Sequence, residues 1–194
     1  MADQVEVADR RPGLLTHYSA QCIHRPKVLA QDFPKNTDVI GENMAIVAAI
    51  GAAAEVAKAA EQVYRLLDGS RSCVITVKNH TDQRLEIAAE QPESGGYKTP
   101  PDQFVDSQTA QIFGHQDNGF MTGSIGRIYY KIGPFEEYFE IRWANPFIGA
   151  NLASAGAWNY NEQWTFKESE NYRSYARSGS GEVGAEMLFE LYRR

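Results

Sequence analysis

"NMAIVAAIGAAAEVAKAAEQVYRLLDGSRSCVITVKN", residues 43–79, contains the change of period on which the fold turns. Ile46, Ile50, Ala53, Val56, Ala60, Val63 and Leu67 follow one another at intervals of three and four, which places them on one stripe of a helix. Glu55, Lys58, Gln62 and Arg65 fall on the opposite side. Asn43 is a candidate N-cap and Gly69 a stop, so the spacing predicts a helix over residues 43–68. Past Gly69 the apolar residues alternate instead, as they do in a half-buried strand.

That alternation recurs downstream. "RLEIAAE" (84–90), "GSIGRIYYKI" (123–132), "YFEIRWA" (138–144), "AWNYNEQWTF" (157–166) and "GAEMLFELY" (184–192) join "CVITVKN" (73–79) as predicted strands. Turn clusters such as "QPESGGYKTPPD" and "HQDNG" separate them. Many short strands behind one helix predict a mainly β fold, a β-sandwich flanked by an N-terminal amphipathic helix. Upstream, Pro12, Pro26 and Pro34 interrupt any period, so residues 1–42 read as an irregular arm and residues 43–194 as the folded domain.

The composition narrows the function classes. A net charge of −6 without any Lys/Arg cluster argues against a nucleic-acid partner, whose phosphates need a cationic surplus. The start of the chain is acidic and has no apolar core of a secretory signal, so a soluble protein without a signal peptide is expected, acting after release at target membranes. "GSGEVG" (179–184) matches a dinucleotide fingerprint in letters only, because an alternating strand follows where a helix is required; it reads as a hairpin turn. His17, Cys22 and His24 fit no metal-ligand spacing, "NHT" (79–81) reads as a plain turn, and the Glu136–Glu137 pair reads as a solvent-facing turn. No enzyme, cofactor or metal is expected.

What stands out is the helix and the aromatics. Met44–Ala54 is an uncharged run of eleven residues, half of the roughly 20 a transmembrane span needs. As one helix, residues 44–67 would be about 36 Å long, the length of a span with the surface of an amphipathic helix. Its stripe is rich in alanine, which buries little area, so docking on a sheet would be weak and exchange for a lipid interface cheap. Tyr129, Tyr130, Phe135, Tyr138, Phe139, Trp143, Phe147, Trp158, Tyr160 and Trp164 crowd the later strands, where they serve as core, as membrane-interface anchors or as a sugar-binding surface.

The order of parts, an amphipathic helix running into "CVITVKNHTDQRL", then "ESGGY", "TGSIGRIYYKI" and "RWANPFIGAN", resembles the actinoporins, pore-forming cytolysins, over about residues 43–160 and the last strand. The resemblance implies a protein that binds lipid headgroups, sphingomyelin or another phosphocholine lipid, assembles as a homo-oligomer on the membrane and inserts its N-terminal helix. Position by position it assigns Ser94, Ile125, Pro146 and Phe147 to lipid binding, with Ala144 standing where the family carries a serine. Trp143, Trp158 and Tyr160 complete the expected lipid-binding set, and Ile46, Ile50, Val56, Val63 and Leu67 form the lipid face of the inserting helix. A lectin-like sandwich that recognises glycans through the same aromatics, with a permanently docked helix, is the second reading.

Overall fold

The computed structural model describes residues 45–160 and 166–194. In chain order these form β1 (Ile46–Ala49), α1 (Ala53–Leu66), β2 (Ser72–His80), β3 (Leu85–Ser94), β4 (Gly96–Thr99), β5 (Phe104–Val105) and β6 (Thr109–Gln116). Then follow β7 (Ser124–Ile132), β8 (Glu137–Asn145), β9 (Leu152–Tyr160), β10 (Phe166–Glu168), β11 (Tyr172–Ser178) and β12 (Ala185–Arg193). One sheet runs β1-β6-β2-β12-β11, with β4 also on β6; the other runs β10-β9-β8-β7-β3-β5. The strands pair antiparallel except β2 and β12, which are parallel, with Cys73 beside Ala185 and His80 beside Tyr192. The expected β-sandwich is therefore present.

Its main core lies between the sheets and is made of the inward residues of the alternating strands: Ile75 and Val77, Ile128 and Tyr130, Phe139 and Ile141, Met187 and Phe189. A second, separate apolar cluster joins α1 to the outer face of the first sheet, with Ala59, Val63 and Leu67 of the helix on Val74, Ala110 and Ile112. The helix can lie this close because position 114 is glycine. A Cβ there would meet the tips of Leu67 and Val63 at 2.9 and 3.0 Å. The large side chains buried on the sheet are Val63 and, at the C-cap, Leu67, each contributing about 1.5–3 kcal/mol.

The helix is shorter than its stripe suggests. It starts at Ala53, not at residue 43, and Ala52 stands at its N-cap without a side-chain hydrogen bond. Ile46 lies in β1 and Ile50 in the turn that follows, while Asn43 lies outside the described residues. Pairing is the cause. β4 occupies the edge of β6 over residues 114–116 and leaves 109–112 open; β1 closes that stretch, with Ile46 opposite Ile112 and Ala49 opposite Thr109. A ladder to a neighbouring strand satisfies the same backbone groups that a helical turn would. At 14 residues α1 is about 21 Å long, and among the described residues no helix is long and apolar enough to cross a membrane.

Two smaller expectations also change. The predicted strand 157–166 begins earlier, as β9 at Leu152, and β10 follows as a separate strand at Phe166. Glu137 does not face solvent: it is buried at the start of β8, where its carboxylate accepts hydrogen bonds from Ser169 Oγ at 2.6 Å and from Asn171 Nδ2. Glu136 does face solvent, paired with Lys131. "GSGEVG" is the turn between the antiparallel strands β11 and β12, whereas "NHT" is not a plain turn: Asn79 and His80 end β2, and Asn79 is fully buried. The arm expected over residues 1–42, with His17, Cys22 and His24, lies outside the described residues.

Candidate functional site

The strand directions gather five segments at one end of the sandwich: residues 68–72, 94–96, 117–124, 145–151 and 179–184. Polar side chains tie them together. Ser94 Oγ accepts from the Gly123 N–H at 3.3 Å, and Ser124 opens β7 opposite Asn145 at the end of β8. Buried Asn145 donates from Nδ2 to the carbonyls of Ser72 and Glu182 at 3.0 and 2.7 Å. Asn151 donates likewise to Gly179 and Gly181. Arg71 donates to the Phe147 carbonyl at 3.0 Å, lies 5.6 Å over the Phe147 ring, and pairs with Glu182.

On this tied base the loop tips are apolar. Phe120 is 90% exposed and Ile148 80%, with Met121 beside the first and Val183 on the neighbouring turn, both about half exposed. Large apolar side chains on the tips of Gly- and Asn-rich turns gain nothing in water, so their clustering at one end marks a contact surface. Beneath them is a closed layer. Ser124 Oγ–H donates to the His115 carbonyl at 3.1 Å, so His115 Nδ1–H donates to Ser124 Oγ at 2.9 Å, and Nε2 is left as an acceptor. Neither that Nε2 nor Trp143 Nε1–H makes a hydrogen bond to a described residue. Burial holds the His115 imidazole down at about 4 and pushes the Cys73 thiol up to about 12, so the layer is neutral and the thiol inert.

The expected lipid-binding residues divide. Ser94, Ile125 and Ala144 form one row across β3, β7 and β8, with Pro146 and Phe147 directly beyond it, so these positions do meet at the apolar end. Trp143 does not belong to the surface. It is fully buried, because the alternation of β8 turns it inward with Phe139 and Ile141, and its ring packs edge-on against Phe113 and His115. Trp158 lies on β9 about 20 Å from Leu152, near the opposite end, on the outer face of the second sheet. The Tyr160 side chain lies outside the described residues. Phe120, Met121 and Ile148 are missing from the sequence-based set; the signal that could have found them is a large apolar residue inside a turn cluster, in "DNGFMTG" and "PFIGAN".

β1 and α1 are placed to feed this end. β1 runs away from it, the chain turns at residues 50–52, and α1 returns toward it, so the unit stays joined to the sheet at Asp68–Ser72. That joint is held by two side chains of the β6 end. Gln116 Oε1 accepts from the N–H groups of Asp68 and Gly69, its Nε2 donates to Asp68 at 2.7 Å, and Asp117 accepts from Arg71 N–H at 3.0 Å. Hydrogen bonds first from Lys98 and then from Gln116 hold the Asp68 carboxyl below its usual range. Among the described residues no group of His, Cys, Asp and Glu could hold a metal.

No family model matches the chain, and no curated protein matches it in sequence. Among solved structures it matches the lipid binding protein Nakanori, with a TM-score of 0.64 and 13% identity, over 73% of this chain and 80% of that one. At that identity the likeness shows a shared fold alone.

Proposed function

We propose that this protein binds lipid membranes through the apolar loop end and permeabilises them by releasing β1 and α1 into the bilayer as an oligomer. The observation that carries the reading is the convergence of Phe120, Met121 and Ile148 at the end where Ser94, Ile125, Pro146 and Phe147 meet. An apolar tip on loops that carry Asp68, Asp117 and Glu182 against Arg71, over a protein of net charge −6, suits zwitterionic phosphocholine headgroups, sphingomyelin among them, better than anionic lipid. The lipid-binding character of the fold neighbour Nakanori supports the same reading.

Release is physically cheap. The apolar cluster under α1 is separate from the core between the sheets, so lifting the helix leaves that core closed. β1 contributes only a four-residue ladder on one edge. Freed from β6, residues 45–52 have no cap to hold the helix start at Ala53, and the stripe through Ile46, Ile50, Val56, Val63 and Leu67 becomes continuous on one helix of about 36 Å. Only then does the element match a hydrocarbon core about 30 Å thick. The charged side with Glu55, Lys58 and Arg65 would face water in an assembly of several helices.

Ala48 and Ala110 are register partners on β1 and β6, both buried, so the double variant Ala48→Cys/Ala110→Cys can lock the strand. Vesicles of phosphatidylcholine with and without sphingomyelin report binding by co-sedimentation and permeation by dye release. The oxidised variant is expected to bind and not to leak, with leakage restored by reductant. Vesicles left intact by micromolar wild-type protein would end the pore reading, and absence of co-sedimentation would end the membrane reading.

A further inference from the structure

Trp158 is held in an orientation that neither the core nor the loop end explains. Its strand neighbour Gly156 has no side chain, and a Cβ there would collide with the indole at Nε1, Cε2 and Cζ2, so the ring lies flat along its own strand. Nε1–H donates to Glu140 Oε2 at 3.2 Å, which fixes the ring in its plane. Across the sheet Trp158 pairs with Tyr138 on β8 and Glu168 on β10, so all three share the outer face. The ring borders a cavity of about 300 Å3 at the seam where β9 meets β11, lined also by Gly156, Glu168, Tyr172, Arg173 and Tyr175.

Three features limit the occupant. The seam is too narrow for an inserted strand, since Cα atoms of β9 and β11 approach within 8 Å whereas a strand between them needs about 9.6 Å. The cavity has the size of a small ligand. Its charges are balanced and engaged: Glu168 pairs with Arg194, Glu140 holds the indole, and Arg173 lies over the rings of Tyr175 and Tyr192 at 5.9 and 5.5 Å. Among the described residues the lining holds one carboxylate, Glu168, and one guanidinium, Arg173, so neither a cation such as choline nor an anion meets a net opposite charge. A neutral molecule with one apolar face and a rim of hydroxyls does fit. The indole offers a flat surface for the apolar face, and Glu168, Ser174 and Tyr175 in the lining offer partners for hydroxyls.

We infer that the β9–β11 seam is a binding site for a neutral pyranose sugar, stacked on Trp158. The inference is independent of the lipid reading, since the site lies about 20 Å along β9 from the loop end. Screening the full chain on an array of neutral glycans, followed by calorimetry on the strongest ligand, tests it. Wild-type protein is expected to bind, Trp158→Ala to lose about tenfold or more in affinity, and Trp158→Phe to keep most of it, because a flat ring remains. Both variants are expected to keep the wild-type thermal midpoint and vesicle binding, which separates the seam from the loop end. The inference is overturned if no neutral glycan binds, if Trp158→Ala binds as well as wild type, or if choline alone displaces the ligand. Sugar covalently carried on a lipid and the same sugar free in solution are distinguished by repeating the titration with glycolipid vesicles and with the free oligosaccharide.

Discussion

At the end of the sandwich remote from the apolar tips, the turns are closed by buried polar side chains. Asn79 Nδ2 donates to the carbonyls of Gln83, Val105 and Asp106, Thr81 Oγ1 donates to Asn79 Oδ1 at 2.7 Å, and Glu137 gathers Ser169 and Asn171. The near end is tied just as firmly below the surface, by Asn145, Asn151 and Arg71, yet its tips carry Phe120, Met121, Ile148 and Val183. The far end exposes Phe135 in a charged turn and Phe104 under the Arg84 guanidinium. Isolated apolar residues of that kind are ordinary on protein surfaces; a cluster on adjoining loops is not. The difference separates the part of each turn that holds the fold from the part left over for a partner.

The comparison breaks first at the tips. Phe120→Glu/Ile148→Glu removes two exposed apolar side chains, and a loss on the order of 3 kcal/mol, about a hundredfold, is expected in vesicle partitioning. Phe135→Glu at the far end should leave partitioning within about twofold, within the spread of surface substitutions. Equal losses from the two would mean the ends do not differ.

An effect of similar size should come from the layer below. His115 has its folded-state value depressed to about 4 from 6.5, because burial disfavours the imidazolium. The unfolded chain therefore binds the proton first, so stability is full above pH 6.5 and falls as pH is lowered toward 4, by about 3 kcal/mol. Urea midpoints measured across that window should fall in wild type and flatten in His115→Phe. Hydrogen exchange should show the loosening around residues 94–97 and 123–124, not at Asn79. The smallest expected effect is at the joint: Gln116→Ala removes the acceptor of two N–H groups, costs about 1 kcal/mol, and should raise amide exchange in α1 more than in β9.

Strands with one wet face were legible in the sequence. "YFEIRWA" separates Phe139, Ile141 and Trp143 from Tyr138, Glu140 and Arg142, and the same alternation already turned Trp143 away from any surface site. β6, "TAQIFGHQ", was not legible, because the core covers one face and α1 the other, and Gln111 and His115 are buried with the rest. A strand buried on both faces has no period to read. Ile46 and Ile50 satisfied a helical spacing, and the open edge of β6 drew the first of them into a strand, a choice made by a partner 66 residues later in the chain (112 − 46). The row of the candidate site was legible where motif and strand coincide, with Ser94 opposite Ile125, whereas the exposed Phe120 and Ile148 lie in loops and obey no period.

The parallel ladder of β2 and β12 joins Cys73 to Ala185, 112 residues apart (185 − 73), in the middle of the first sheet. A ribosome emits α1 before Ala110 and Ile112, on which it packs, and long before β12 completes the sheet, so the helix leaves the tunnel with its bed unfinished. Contacts this distant in sequence form slowly. During synthesis the apolar stripe through Val63 and Leu67 is consequently bare until Ala110 and Ile112 have followed it.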